Sequence, residues 1–153
     1  MYEKNGAAIY KKSFSIIRSE SQLSQFNADE EQVAVRMIHA AGMVDLAKYI
    51  YFSSGFVHSA RAALSNGAPI FCDAKMVSEG ITRRRLPADN DVICTLTAPN
   101  IYELAASMNN TRSAAALEHW RDRLTGAVVA IGNAPTALFH LLNMLQEEDC
   151  PKP

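Results

Sequence analysis

The chain has 153 residues, 48% of them hydrophobic and 20% charged, with 15 basic against 16 acidic side chains and a formal net charge of −1. That length suits one domain able to bury about 70% of the surface its unfolded chain exposes, and the apolar content and even charge exclude a disordered segment and a bulk polyanion binder. No apolar run approaches the roughly 18 residues of a membrane span, and residues 1–6 show no basic segment leading into an apolar one, so no secretory leader is expected and the protein reads as cytoplasmic.

In chain order, residues 7–20 are predicted to form a helix with Ile9, Ile16 and Ile17 on one side and Tyr10 and Phe14 widening the stripe. Ser13 falls on that stripe, either tucked away or facing a site. A second helix starts near Asn27, an N-cap candidate with Glu30 placed to complete a capping box. It is predicted to run towards Tyr49, with Val35, Ile38, Gly42, Leu46 and Tyr49 on one face. His39 lies in that face, and Gly42 inside a helix suggests that something approaches closely. From residue 56 helices and short strands alternate. Helices are expected over 56–66, 75–79, 101–108, 113–124 and 135–146, and strands over 69–72, 92–96 and 127–131. Short, continuously apolar strands separated by helices indicate a parallel sheet covered on both faces, hence α/β with a three-layer α/β/α sandwich. The three cysteines, Cys72, Cys94 and Cys150, are odd in number and form no Cys-x-x-Cys, which suits a reducing compartment. Cys72 and Cys94 read as small buried strand residues rather than nucleophiles.

Ligands of an open parallel sheet bind beyond the carboxyl ends of the strands. Those ends are Asp73, the segment at 95–97, and Gly132-Asn133-Ala134-Pro135, where a glycine turn and a proline in the first helical turn leave backbone N–H groups aimed at the crevice. This loop is either anion-binding or a plain tight turn; it matches neither a P-loop nor a GxGxxG fingerprint. The four histidines, His39, His58, His119 and His140, lack metal-ligand spacing, and no GxSxG elbow occurs. His39 alone sits in an apolar stripe, as a packed core histidine or as a proton donor. Thr82-Arg83-Arg84-Arg85 is either a solvated loop or a carboxylate or phosphate grip. Asn110 or Thr111 can cap the helix that follows; Arg112 then opposes the helix dipole in the first turn, which calls for an anionic partner.

At these residues the sequence resembles the precorrin-8X methylmutase family of cobalamin (corrin) biosynthesis. The resemblance runs in order through Gly6-Ala7-Ala8-Ile9-Tyr10 with Ser13-Phe14; Val35-Arg36-Met37-Ile38-His39-Ala40 with Gly42; Gly67-Ala68-Pro69-Ile70 with Cys72-Asp73; Gly80-Ile81-Thr82-Arg83; Asn110-Thr111-Arg112-Ser113; and Val129-Ala130-Ile131-Gly132-Asn133-Ala134-Pro135-Thr136. It implies a flavodoxin-like sheet, a homodimer, no metal or organic cofactor, and an isomerase that moves a methyl group from C-11 to C-12 of precorrin-8X to give hydrogenobyrinate. It implies that His39 is catalytic and Ser13 substrate-contacting, with Arg112, Thr82, Arg83, Asn110 and Asn133 in motifs that line the site, and it suggests hand-over of product to the next pathway enzyme. Family members continue past the helix near residue 146 with another strand, a glycine-rich segment and a helix. Residues 1–153 are therefore expected to be a single family domain without its C-terminal part, the sheet lacking its last strand–helix unit. Three rival readings remain: a corrinoid-binding protein without turnover, the cobalt-precorrin-8 methylmutase of the anaerobic route, and a flavodoxin-like nucleotide module using the Gly132 loop.

Overall fold

Asn5 and Asn27 open the first two helices of the structure, a computed structural model that describes residues 3–153. Met1 and Tyr2, part of the segment read above for a leader, lie outside the described residues. The chain divides into two compact units, Met1–Ser59 and Ala60–Pro153. In the first, the Asn5 side chain accepts from the N–H groups of Ala7 and Ala8 and starts α1 (Gly6–Glu20). Asn27 starts α2 (Ala28–Ala41) through the predicted capping box: its side chain accepts from Asp29 and Glu30, while its own N–H donates to the Glu30 carboxylate at 3.0 Å. Asp29, Glu30 and Glu31 also place negative charge against the positive helix end.

The second helix stops earlier than its apolar spacing predicts. Gly42 adopts φ +67°, a left-handed conformation open mainly to glycine, and caps α2 by donating to the Ile38 carbonyl. The chain continues as a 3-10 helix over Val44–Tyr49, which leaves Tyr49 80% exposed instead of on the buried face. Ile17 of α1 packs with Ala34, Val35 and Ile38 of α2 and with Ala47 and Ile50. Each fully buried aliphatic side chain here is worth about 1.5–3 kcal/mol.

The helix α3 (Phe56–Ser65) carries the chain into the second unit. There follow β1 (Ile70–Cys72), α4 (Lys75–Gly80), a 3-10 turn over Arg83–Arg85, β2 (Val92–Ile93), α5 (Ile101–Ser107), α6 (Arg112–Ala116), a 3-10 segment over Leu117–Arg123, β3 (Val128–Ala130) and α7 (Pro135–Met144). The three strands form the expected parallel sheet, in the order β2-β1-β3, with Phe71 opposite Ile93 on one side and Val129 on the other. The central strand is buried at every residue, as a strand covered on both faces must be. Phe71 packs against Trp120 with ring centroids 5.3 Å apart, in a cluster with Leu117, Leu124, Ala137, Leu141 and Met144. Its neighbours Ile70 and Cys72 point to the opposite face. The expected strand at 92–96 contracts to two residues. Beyond it the Thr95 hydroxyl donates to the Ala116 carbonyl and accepts from the Trp120 indole, bonds of 2.7 and 2.8 Å. No helix among the described residues is long and apolar enough to cross a membrane.

Candidate active site

In the first unit, α1 presents Tyr10, Ser13 and Phe14, at positions i, i+3 and i+4 of one helix face, to a single side chain of α2. That side chain is His39. The Ser13 Oγ lies 2.8 Å from His39 Nδ1, and the rings of Tyr10 and Phe14 stand 5.0 and 5.3 Å from the imidazole, Phe14 edge-on. The Arg36 guanidinium lies 5.5 Å over the Phe14 ring. The imidazole is half-buried, and no described residue hydrogen-bonds its Nε2. Ser13 also lines a shallow, mostly apolar cleft of about 290 Å³ with Ile9, Lys12, Ile16 and Ile17. His39 thus combines the packed setting of a core histidine with one ring nitrogen that no described residue hydrogen-bonds.

In the second unit, the strand order places the ends of β1 and β3 side by side, the crevice where open α/β sheets bind ligands. The loop following β3 does aim its N–H groups there, but they are not free, which corrects the expectation. The Asp73 carboxylate, 1% exposed, accepts from Gly132 at 3.1 Å, Asn133 at 3.0 Å and Ala134 at 2.6 Å. The anion that these three N–H groups hold is the protein's own carboxylate. Gly132 fits a tight spot: a Cβ there would meet a Val77 methyl at 3.0 Å, and that side chain would have to give. The Asn133 side chain is exposed.

Arg112 is the first residue of α6, as expected, and Thr111 is the cap, accepting from the Ala114 N–H. The Asn110 side chain accepts from the Thr111 N–H at 2.8 Å, and the Thr111 hydroxyl meets that of Thr136 at 2.8 Å. No described carboxylate pairs with Arg112. Its Nη1 donates to the Tyr102 hydroxyl at 2.7 Å, and the guanidinium lies 4.8 Å over the Tyr102 ring. One edge of the fork is therefore fixed while the rest stays exposed. Thr82 is exposed and caps the 3-10 turn with its carbonyl. Arg83 turns back on the backbone, donating to the carbonyls of Ser78 and Ile81, where it neutralises the C-terminal end of α4.

Cys72 is a fully buried strand residue, in line with the sequence reading. Burial pushes its thiol up to about 11, with Cys94 adding, Arg83 opposing and Asp73 adding again. Cys94 lies just past β2 and is half-buried. Three features escaped the sequence reading: the partnership of Asp73 with the 132–134 loop, Tyr102 as the partner of Arg112, and a network joining Glu118, Arg121, His140 and Glu147. In that network His140 Nε2 stands 2.6 Å from the Glu118 carboxylate, and Arg121 donates to Glu118 and Glu147. Burial alone would raise the Glu118 carboxyl, yet hydrogen bonds from His140 and Arg121 hold it below the ordinary carboxylate value.

A family model described as precorrin-8X methylmutase matches residues 8–153. The precorrin-8X methylmutase of a Sinorhizobium species is 59% identical over 152 residues, covering 99% of this chain and 72% of the relative. That of Pseudomonas aeruginosa is 57% identical, covering 99% and 73%. Relatives named cobalt-precorrin-8 methylmutase are more distant, at 26–31% identity. Among solved structures, a precorrin-8x methyl mutase from Thermus thermophilus superposes with a TM-score of 0.82 at 34% identity, over 95% of this chain and 71% of that one.

Proposed function

The chain belongs to the precorrin-8X methylmutase family of isomerases, and on that premise we propose that His39 is the group through which it moves a methyl from C-11 to C-12 of precorrin-8X, giving hydrogenobyrinate. The observation that supports this is the His39 imidazole itself: flanked by Tyr10 and Phe14, held at Nδ1 by Ser13, and open at Nε2. The reaction is an isomerisation. One C–C bond breaks at C-11, one forms at C-12, and no atom enters or leaves. Nε2 donates a hydrogen bond or a proton to a ring nitrogen, drawing electron density so that the methyl migrates, and recovers the proton as the product leaves. Such help contributes about 10²- to 10⁴-fold.

The substrate is a flat, largely apolar macrocycle fringed with carboxylates, and Arg112 is assigned to one of these, since a guanidinium edge pairs bidentately with carboxylate. Asn110 and Asn133 fit the same fringe as neutral donors. Thr82 presents an exposed residue, and Arg83, whose Nη1 is held by backbone carbonyls, offers its remaining donors to the same fringe. We assign a metal-free substrate, since two precorrin-8X methylmutases are 57–59% identical to the chain and the cobalt-precorrin-8 enzyme of Methanocaldococcus jannaschii 30%. A homodimer, a cytoplasmic location and hand-over of product belong to the same reading and rest on family membership. The test is turnover of precorrin-8X, followed by absorbance and by identification of the product. His39→Ala is expected to lose about 10²- to 10⁴-fold in kcat. A variant as fast as wild type ends this role for His39, and a wild-type protein that binds the macrocycle without forming product is a corrinoid binder.

A further inference from the structure

We infer that Arg36 is a substrate-binding residue whose guanidinium grips one peripheral carboxylate of the macrocycle that meets His39. This deepens the proposed function and rests on it. Arg36 and His39 stand three residues apart on α2, a spacing that puts both on one side of the helix. Both also lie against the same ring of α1. The Phe14 ring stands edge-on to the imidazole with centroids 5.3 Å apart, and the Arg36 guanidinium carbon is 5.5 Å from the centre of that ring. Val35 and Ile38, on the inner side of α2, are buried with Ile17 of α1 and fix one helix against the other. Arg36 and His39 therefore keep a constant relation.

A guanidinium is a planar fork of N–H donors with no acceptor. No described residue accepts a hydrogen bond from that of Arg36, which is exposed and borders a cleft of about 460 Å³ with Phe14, Arg18, Glu31 and Gln32. Arg18 and Glu31, the other charged residues of the cleft, neutralise each other through a 2.7 Å ion pair. One positive charge is left over, on Arg36. Its complement is an anion, and the fork pairs bidentately with a carboxylate. The ligand of the proposed reaction carries carboxylates around an apolar ring system. A macrocycle with a ring nitrogen at His39 extends well beyond the imidazole in its own plane, and its acid chains extend further. One of them comes within reach of a guanidinium that shares a ring contact with His39. That contact also restrains the long arginine side chain before ligand arrives, which reduces the entropy lost on pairing. Arg112 belongs to the second unit, and Arg36 adds a grip from the unit that holds His39.

The test is hydrogenobyrinate titration and precorrin-8X kinetics on wild type, Arg36→Gln and Arg36→Lys. Arg36 is exposed, and glutamine and lysine are both good helix formers, so folding is expected to survive; circular dichroism and thermal melting check it. Arg36→Gln is expected to raise product Kd and KM about 10-fold, the size of a lost charge-assisted pair, with kcat changed less than about 2-fold. Arg36→Lys keeps the charge without the fork and is expected to fall between the two. Raising NaCl from about 50 to about 500 mM is expected to narrow the gap between wild type and Arg36→Gln, because the pair is screened. Three results overturn the inference. One is an Arg36→Gln variant with unchanged Kd. Another is a fall in kcat at unchanged Kd, which makes Arg36 act on His39 through Phe14. The third is an equal loss of affinity in both variants at both salt concentrations, which marks lost packing against Phe14. The functional reading fails separately, as a wild type that binds hydrogenobyrinate without turning over precorrin-8X; the Kd comparison then still decides on Arg36. A wild type that does not bind hydrogenobyrinate ends both.

Discussion

The helical corner around His39 and the sheet end around Asp73 are both built from polar groups meeting across long stretches of chain, yet they differ in what is left over. Around His39 one hydroxyl meets one ring nitrogen, and the second nitrogen stays open. Around Asp73 three backbone N–H groups converge on one buried carboxylate, and all three donors are taken up. The crevice at the carboxyl ends of β1 and β3 has the geometry of a ligand site and is closed by the chain's own side chain. A polar constellation signals chemistry by its unspent valence, and counting polar residues does not reveal it.

The hardest way to break this comparison is to remove the internal anion. Asp73→Ala strips the carboxylate from three donors, of which the Ala134 N–H is buried and the other two can rewet. Hydrogen bonds to a charged group are worth about 1.5–3 kcal/mol each, so a loss of about 3 kcal/mol is expected in urea unfolding, or roughly 6–12 °C in Tm. If the loop then becomes the anion site that its shape suggests, sulfate will stabilise the variant more than it stabilises wild type, with chloride at equal ionic strength as the control. A loss under about 1 kcal/mol, or equal sulfate responses, would show that Asp73 is not what fills the crevice.

A smaller effect is expected at Arg112, which resembles His39 in being only half engaged. Tyr102 holds one edge of the guanidinium from below and beside it, and the other donors face solvent. Arg112→Ala is expected to weaken hydrogenobyrinate binding about 10-fold by titration, since an exposed charge-assisted pair contributes on the order of 1–2 kcal/mol. Tyr102→Phe keeps the stacking ring and removes only the hydroxyl, so about 2- to 3-fold is expected. Unchanged affinity in Arg112→Ala places the carboxylate contact elsewhere.

What sequence reasoning recovered follows the same division. The capping box at Asn27, the strands at Ile70 and Val128 and the helix through Pro135 were legible because each depends on near neighbours in the chain. The end of α2 was misread: apolar spacing continues through Leu46 and Tyr49, and only the left-handed φ of Gly42 shows that the helix has stopped. His39 and Ser13 could be placed on two apolar stripes, but not 2.8 Å apart. Asp73 was visible as a carboxylate at a strand end. The 132–135 loop was visible as a set of donors. That they satisfy each other depends on β1 and β3 being neighbours, and strand order lies outside what local periodicity encodes. Tyr102 gave no signal of its own, because it lies ten positions before the arginine it holds, across the end of one helix and a turn.

The finest test sets the two partnered histidines side by side. His140 has the partner His39 lacks: a carboxylate, Glu118, itself gripped by Arg121, which in turn reaches Glu147. A carboxylate only accepts, so His140 Nε2 donates, and the bond ties α7 to the Leu117–Arg123 segment as part of an ion-pair network, whereas the Ser13 hydroxyl meets His39 as a neutral partner. Glu118 is held below its ordinary value, first against the upward push of burial and then by these donors. Its ionised form therefore stabilises the fold above the unfolded carboxylate value near 4.3, and that contribution is lost as pH falls through the depressed folded value. Glu118→Gln is expected to flatten the acid limb of a stability–pH curve by about 0.5–1 kcal/mol, the range for a partly exposed pair, and to leave precorrin-8X turnover unchanged. A Glu118→Gln variant that keeps its stability but loses turnover would make this network part of the chemistry and remove the contrast between the two histidines.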